Sequence, residues 1–135
     1  MNLLRPCVAA LAVSLVPLSA AAGAMDECEG ADAEATAKCL AALDLETLAA
    51  LKKAETAVGR AARGIEDSTK RPGAYTAFAS SSRAFALYQQ AQCDYVRAIQ
   101  PDANVRPTTP AASAADMAKI ACRIDLARER IEILK

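Results

Sequence analysis

The sequence predicts an all-α fold: a small antiparallel helical bundle of three long helices plus a short N-terminal helix, stapled by two disulfides. Three observations predict it. Apolar residues recur at helical spacing over three long stretches, and the alternation expected of strands is absent. The chain is rich in alanine, with only 5 glycines, 4% aromatic residues and no tryptophan. One of its 5 cysteines, Cys7, lies in the N-terminal apolar segment, so an even number follows it.

That N-terminal segment reads as a secretory signal peptide over residues 1–24. Met1 to Arg5 is a short start with one positive charge. Val8 to Leu18 is an apolar run, too short for a membrane anchor and ended by Pro17 and small residues. Ala22-Gly23-Ala24 fits a small-residue cleavage site, so a single domain is expected over residues 25–135. Cys28, Cys39, Cys93 and Cys122 remain in it. In a small exported chain they read as two disulfides with three possible pairings. Zinc is the rival reading, but the chain has no histidine and no C-x-x-C spacing.

The segment CEGADAEATAKC, residues 28–39, poses a geometric problem. Eleven steps of one straight helix separate the Cα atoms by about 16 Å. A disulfide tolerates about 4.4 to 6.8 Å. Either each cysteine has a different partner, or the chain turns back between them, as Gly30 would allow. A short helix over 32–40 would carry Cys39.

The long helices follow in order. Leu40, Leu43, Leu48, Leu51, Val58 and Ile65 form one apolar stripe, predicting a helix over 42–66. The stretch DSTKRPG, 67–73, marks a turn, with Pro72 near the start of the next helix. Tyr75, Phe78, Phe85, Leu87, Tyr88, Val96 and Ile99 predict a second long helix over 73–99. Three prolines in PDANVRPTTPAA, 101–112, exclude a continuous helix there. Ser113 and Asp116 then form an N-cap and a first-turn acid. Met117, Ile120, Ile124, Ala127, Ile131 and Leu134 predict the third long helix over 114–134. Short turns make sequential helices antiparallel neighbours.

Charge excludes several functions. The whole chain carries 16 Lys+Arg and 16 Asp+Glu, and only Arg5 leaves with the leader. A near-neutral chain without a basic stripe argues against nucleic acid. The distribution is uneven, with seven acids and one lysine in 26–46, and six bases and three acids in 52–71. Such blocks are usually solvated helix faces; a partner of complementary charge is the functional alternative. No catalytic constellation is legible. Without histidine the commonest general base is missing, paired cysteines supply no thiolate, and no G-x-S-x-G, phosphate loop or HExxH occurs. The sequence predicts no enzyme, no metal and no cofactor.

Three segments resemble the LprI-like family of exported lysozyme inhibitors. They are Cys28-x10-Cys39 with LAALDLETL; SRAFALYQQAQC, 82–93; and CRIDLARERIEIL, 122–134. In the second, Arg83, Ala84, Tyr88, Ala91, Gln92 and Cys93 are in step with the family's pattern, whereas Phe85, Gln89 and Gln90 depart from it. The resemblance implies pairings Cys28–Cys39 and Cys93–Cys122. It also implies a lead-in at 28–31 folding back over the first helix, and a periplasmic or secreted location. It implies a binding protein that occludes lysozyme or a related wall-cutting enzyme. Immunity against a wall-degrading toxin, or a structural role in the envelope, are the alternatives. The 67–73 turn is the favoured partner-binding element, through Ser68, Thr69, Lys70 and Arg71, whose cations and hydroxyls suit a cleft holding catalytic carboxylates. The 101–112 loop is the second choice. Toward a basic target, the acidic stretch 26–46 would steer the encounter.

Overall fold

The computed structural model describes residues 23–30, 32–70, 72–104 and 113–135. Among these it has four helices and no strand: α1 (Ala24–Glu27), α2 (Ala33–Thr69), α3 (Ala74–Ala98) and α4 (Ala114–Ile133). None is long and apolar enough to cross a membrane.

The predicted short helix over 32–40 and long helix over 42–66 are one element, α2, of 37 residues. Leu40, Ala41 and Ala42 contain no breaker, so nothing stops the helix at that point. Its start is fixed by Asp32, whose carboxylate accepts from the Ala35 amide at 2.8 Å. The short N-terminal helix of the fold lies upstream, at α1. The fold-back between Cys28 and Cys39 occurs at residues 28–32, before α2 begins, and brings their Cα atoms to 5.5 Å.

At its far end α2 continues through Asp67, Ser68 and Thr69, which the sequence reading placed in a turn. The hydroxyls of Ser68 and Thr69 donate back to the Ile65 carbonyl at 3.2 and 2.7 Å, which keeps the last turn helical. Lys70 ends the helix in the left-handed region, φ 54°. Gly73, φ 118°, opens α3 without a capping side chain. Glu66 supplies that cap from α2, accepting from the Gly73 and Tyr75 amides at 2.7 and 2.9 Å. At α4 the predicted cap is present: Ser113 Oγ accepts from the Asp116 amide at 3.1 Å. Asp102 adds a second, accepting from the Ala115 amide at 3.1 Å.

α4 is the hub. Leu40 of α2 packs with Met117, Ala121 and Ile124 of α4 and with Ala24 and Cys28 from the α1 region. The predicted staple Cys93–Cys122 ties α3 to α4, with 5.6 Å between Cα atoms. Among the described residues, each ion pair between different helices involves α4: Glu27–Arg128, Asp44–Arg123, Asp94–Lys119 and Arg97–Asp116. The Arg130 guanidinium further donates to Ser81 Oγ of α3 at 3.0 Å. These ties run α4 parallel to α2 and antiparallel to α3. Counted at 1.5 Å per residue, they bring the end of α4 level with about residue 55 of α2 and about residue 77 of α3. Past that level, among the described residues, α2 and α3 have only each other, and they form a two-helix tip.

Candidate functional site

The four cysteines named from sequence lie together in two pairs, Cys28–Cys39 and Cys93–Cys122, within or against the core. Cys93 is fully buried and Cys28 is 3% exposed. Bonded sulfurs supply neither nucleophile nor metal ligand. No group of three or more His, Cys, Asp or Glu able to hold a metal occurs among the described residues.

The proposed partner-binding residues sit at the outer end of the tip. Ser68 and Thr69 lie in the last turn of α2, with their hydroxyls directed back at Ile65. Lys70 is exposed, at the point where the chain reverses. Arg71 lies outside the described residues. Of the second-choice loop, residues 105–112 also lie outside them, and Asp102 caps α4 rather than facing a partner.

Beside this turn is a site that the sequence reading missed. A groove of about 620 Å³ runs between α2 and α3. Lys52, Arg60 and Arg63 line it from α2, and Arg83 lines it from α3. Glu55 is the one acid among the lining residues. No residue of α4 is among the lining, although the inner part of the groove, at Lys52 and at Ser82 and Arg83, lies alongside the last turns of α4. A second concavity shares Lys52, Thr56 and Arg60 and adds Lys53, which widens the basic surface along α2. The floor is set by Gly59: a Cβ there would come within 3.2 Å of Phe78 Cε1 and 3.7 Å of Tyr75 Cε2. Glycine thus lets α3 approach closely. The Arg63 guanidinium carbon lies 4.1 Å from the Tyr75 ring centroid, a cation–π contact that orients it.

The electrostatics of the two ends differ. At the α4 hub, charges neutralise one another. The Arg97 guanidinium, helped by the Ser113 hydroxyl, holds the Asp116 carboxyl below its ordinary value, and Arg97 is raised in turn. The Arg128 guanidinium does the same for Glu27, donating at 2.5 and 2.9 Å, and is itself raised. In the groove, Lys52, Arg60, Arg63 and Arg83 belong to no ion pair among the described residues. One signal for this site was present in the sequence. Lys52, Thr56, Gly59, Arg60 and Arg63 follow i, i+4, i+7, i+8, i+11 spacing, a helical face of their own beside the apolar stripe. The sequence could not show that this face borders a groove against α3.

Comparison with known proteins supplies one match. The family model described as "Lysozyme inhibitor LprI" matches residues 22–134. No curated protein and no solved structure matches.

Proposed function

Because this chain belongs to the LprI lysozyme inhibitor family, we propose that it binds and occludes a peptidoglycan-cleaving enzyme of the lysozyme kind, outside the cytoplasm and without catalysis of its own. The family match over 22–134 carries this reading. The architecture supports it. A convex tip held by a disulfide-stapled body loses little freedom on binding, which favours affinity. The reversal that begins at Lys70 ends that tip, and a protruding cationic turn complements a concave cleft lined by carboxylates. Two disulfides fit an oxidising compartment.

The leader belongs to the same proposal, with its cleavage point refined. Ala24 is fully buried, and its amide donates to Asp125 Oδ1 of α4 at 2.9 Å. Cleavage after Ala24 would remove a residue of the core. Ala20-x-Ala22 offers an equivalent small-residue site two positions earlier. Hydrolysis there would leave Gly23 as the first residue and keep Ala24 in place. N-terminal sequencing of exported protein should read Gly23 first; Met25 would reject this refinement.

The functional test is a lysis assay with purified, oxidised protein. The parent should slow cell-wall clearing by lysozyme reversibly and at one-to-one stoichiometry. Lys70→Ala/Arg71→Ala, with unchanged melting, should weaken inhibition at least tenfold. Full inhibition by that variant would show the turn to be a connector, and no inhibition by the parent across several muralytic enzymes would reject the reading as a whole.

A further inference from the structure

The groove beside the tip is concave, so it cannot fill an enzyme's cleft as the turn can. Its chemistry calls for a different occupant. Lys52 and Arg63 are eleven residues apart on one helical face, about 16 Å along the axis. Positive charge is therefore spread along a line. The Arg63 guanidinium sits over the Tyr75 ring and makes no ion pair among the described residues, so its N–H groups can serve a carboxylate or phosphate. Arg83 reaches the same groove from α3, and its one hydrogen bond, to Ser80 Oγ at 3.3 Å, is with a neutral group. Ser82, also in the lining, has a buried hydroxyl with no hydrogen-bond partner among the described residues. A buried polar atom of this kind requires a partner. Like charges gathered in one groove repel, and here Glu55 alone opposes them.

We propose that this groove binds an extended anionic glycan, a sugar polymer that carries carboxylate or phosphate groups at intervals along its length. The charges along α2 and from Arg83 take the anions, and the Ser82 hydroxyl pairs with a sugar hydroxyl. A concave groove between two helices can take a chain laid along it and does not match a flat bilayer. An amphipathic helix from a protein fits less well, since the apolar floor of Tyr75, Phe78, Ala79 and the Gly59 backbone is flanked by Lys52, Arg60, Arg63 and Arg83, whose charges an apolar face would leave unpaired. The proposal stands apart from enzyme inhibition: it concerns what the protein rests on, not what it blocks.

The test is titration calorimetry on the oxidised full-length mature chain with four probes. These are soluble uncross-linked peptidoglycan strands (carboxylates), a glycerol-phosphate wall polymer (phosphates), neutral chitohexaose and poly-glutamate. At least one anionic glycan should bind, at least tenfold more tightly than chitohexaose or poly-glutamate, and which one binds identifies the source. Raising salt should weaken binding. Arg60→Gln/Arg63→Gln and, independently of the Tyr75 stack, Lys52→Gln/Arg60→Gln should each weaken it at least tenfold. Ser82→Ala should weaken it about threefold, and Lys38→Gln, at the other end of α2, should bind as the parent does. Equal binding of chitohexaose or poly-glutamate, parent-like binding by both double variants, or no binding of either anionic glycan overturns the proposal. Inhibition of lysozyme on a small neutral substrate should be unchanged in the groove variants, which separates this failure from failure of the inhibitor reading.

Discussion

The two ends of α2 are built from similar sequence and live under different physics. Both are alanine-rich and helical. At the near end, Leu40, Asp44, Thr47 and Leu51 are buried, the Cys28–Cys39 disulfide ties the helix to the α1 region, and Asp44 pairs with Arg123 of α4. At the far end only Gly59 and Ala62 are buried, and Ile65 is 54% exposed. A helix in a three-helix layer can bury a broad stripe; one of a pair can bury only a seam. The difference arises from where α4 stops. It leaves stability concentrated in the body and uncompensated charge concentrated in the tip.

The largest break in this contrast should come from the staple. Cys93→Ser/Cys122→Ser opens a loop of sequence separation 29. In the chain-entropy model that removes about 3 to 4 kcal/mol, much of a small domain's stability. Denaturant titration should show the midpoint falling sharply in the body and the tip together, since the tip has no core of its own. Next comes Asp44→Ala. The Asp44 side chain is 12% exposed and pairs with Arg123, whose Nε has no partner of its own. Removing it should destabilise by about 1 to 3 kcal/mol, measured by thermal melting.

A pair of glycine substitutions sharpens the contrast within the tip. At Gly64 a Cβ meets nothing within 4 Å, and at Gly59 it meets Phe78 at 3.2 Å. Gly64→Ala should stabilise by about 0.5 to 1 kcal/mol through helix propensity. Gly59→Ala should lose that gain by pushing Phe78 aside, and amide hydrogen exchange in 56–66 should rise in it and fall in Gly64→Ala. The smallest effect is that of pH. Asp116 and Glu27 are held below ordinary values of 3.8 and 4.5 by Arg97 and Arg128. A depressed carboxyl stabilises the folded state above its unfolded pKa. That contribution is lost as pH falls through about 4 toward the lower folded value. Melting temperature should therefore drop in acid, and Glu27→Gln/Asp116→Asn should flatten the drop.

Much of the body was legible in the sequence. The period of Met117, Ile120 and Ile124 and the Ser113 cap place α4 within a residue of its observed end, because a capped, three-sided helix follows local rules. The resemblance implied both cysteine pairings, which spacing alone left open. Two local readings were displaced. The helices expected over 32–40 and 42–66 are one, because nothing at Leu40 to Ala42 interrupts the helix, while the turn-back expected at Gly30 does lie ahead of α2. Asp67 to Thr69 were read as turn because their composition is turn-like, but hydroxyls bonded to Ile65 satisfy the helix end equally well. The groove was legible only in part. Its basic residues are visible as a block, yet their meaning depends on the relative lengths and register of α2, α3 and α4, which no local pattern encodes.

The early end of α4 also decides how the protein should be handled. Lys135 lies near the level where the groove opens, so an affinity tag joined there would hang across its mouth and present its own groups to Lys52 and Arg60. An N-terminal tag sits elsewhere. From Cys39 to Thr69 the uninterrupted α2 helix spans about 45 Å, so a tag ahead of Gly23 is kept that far from the tip. The same span makes α2 a ruler: a dye at the stapled end and another at residue 70 would report distance to whatever the tip engages, on a scale set by the helix itself.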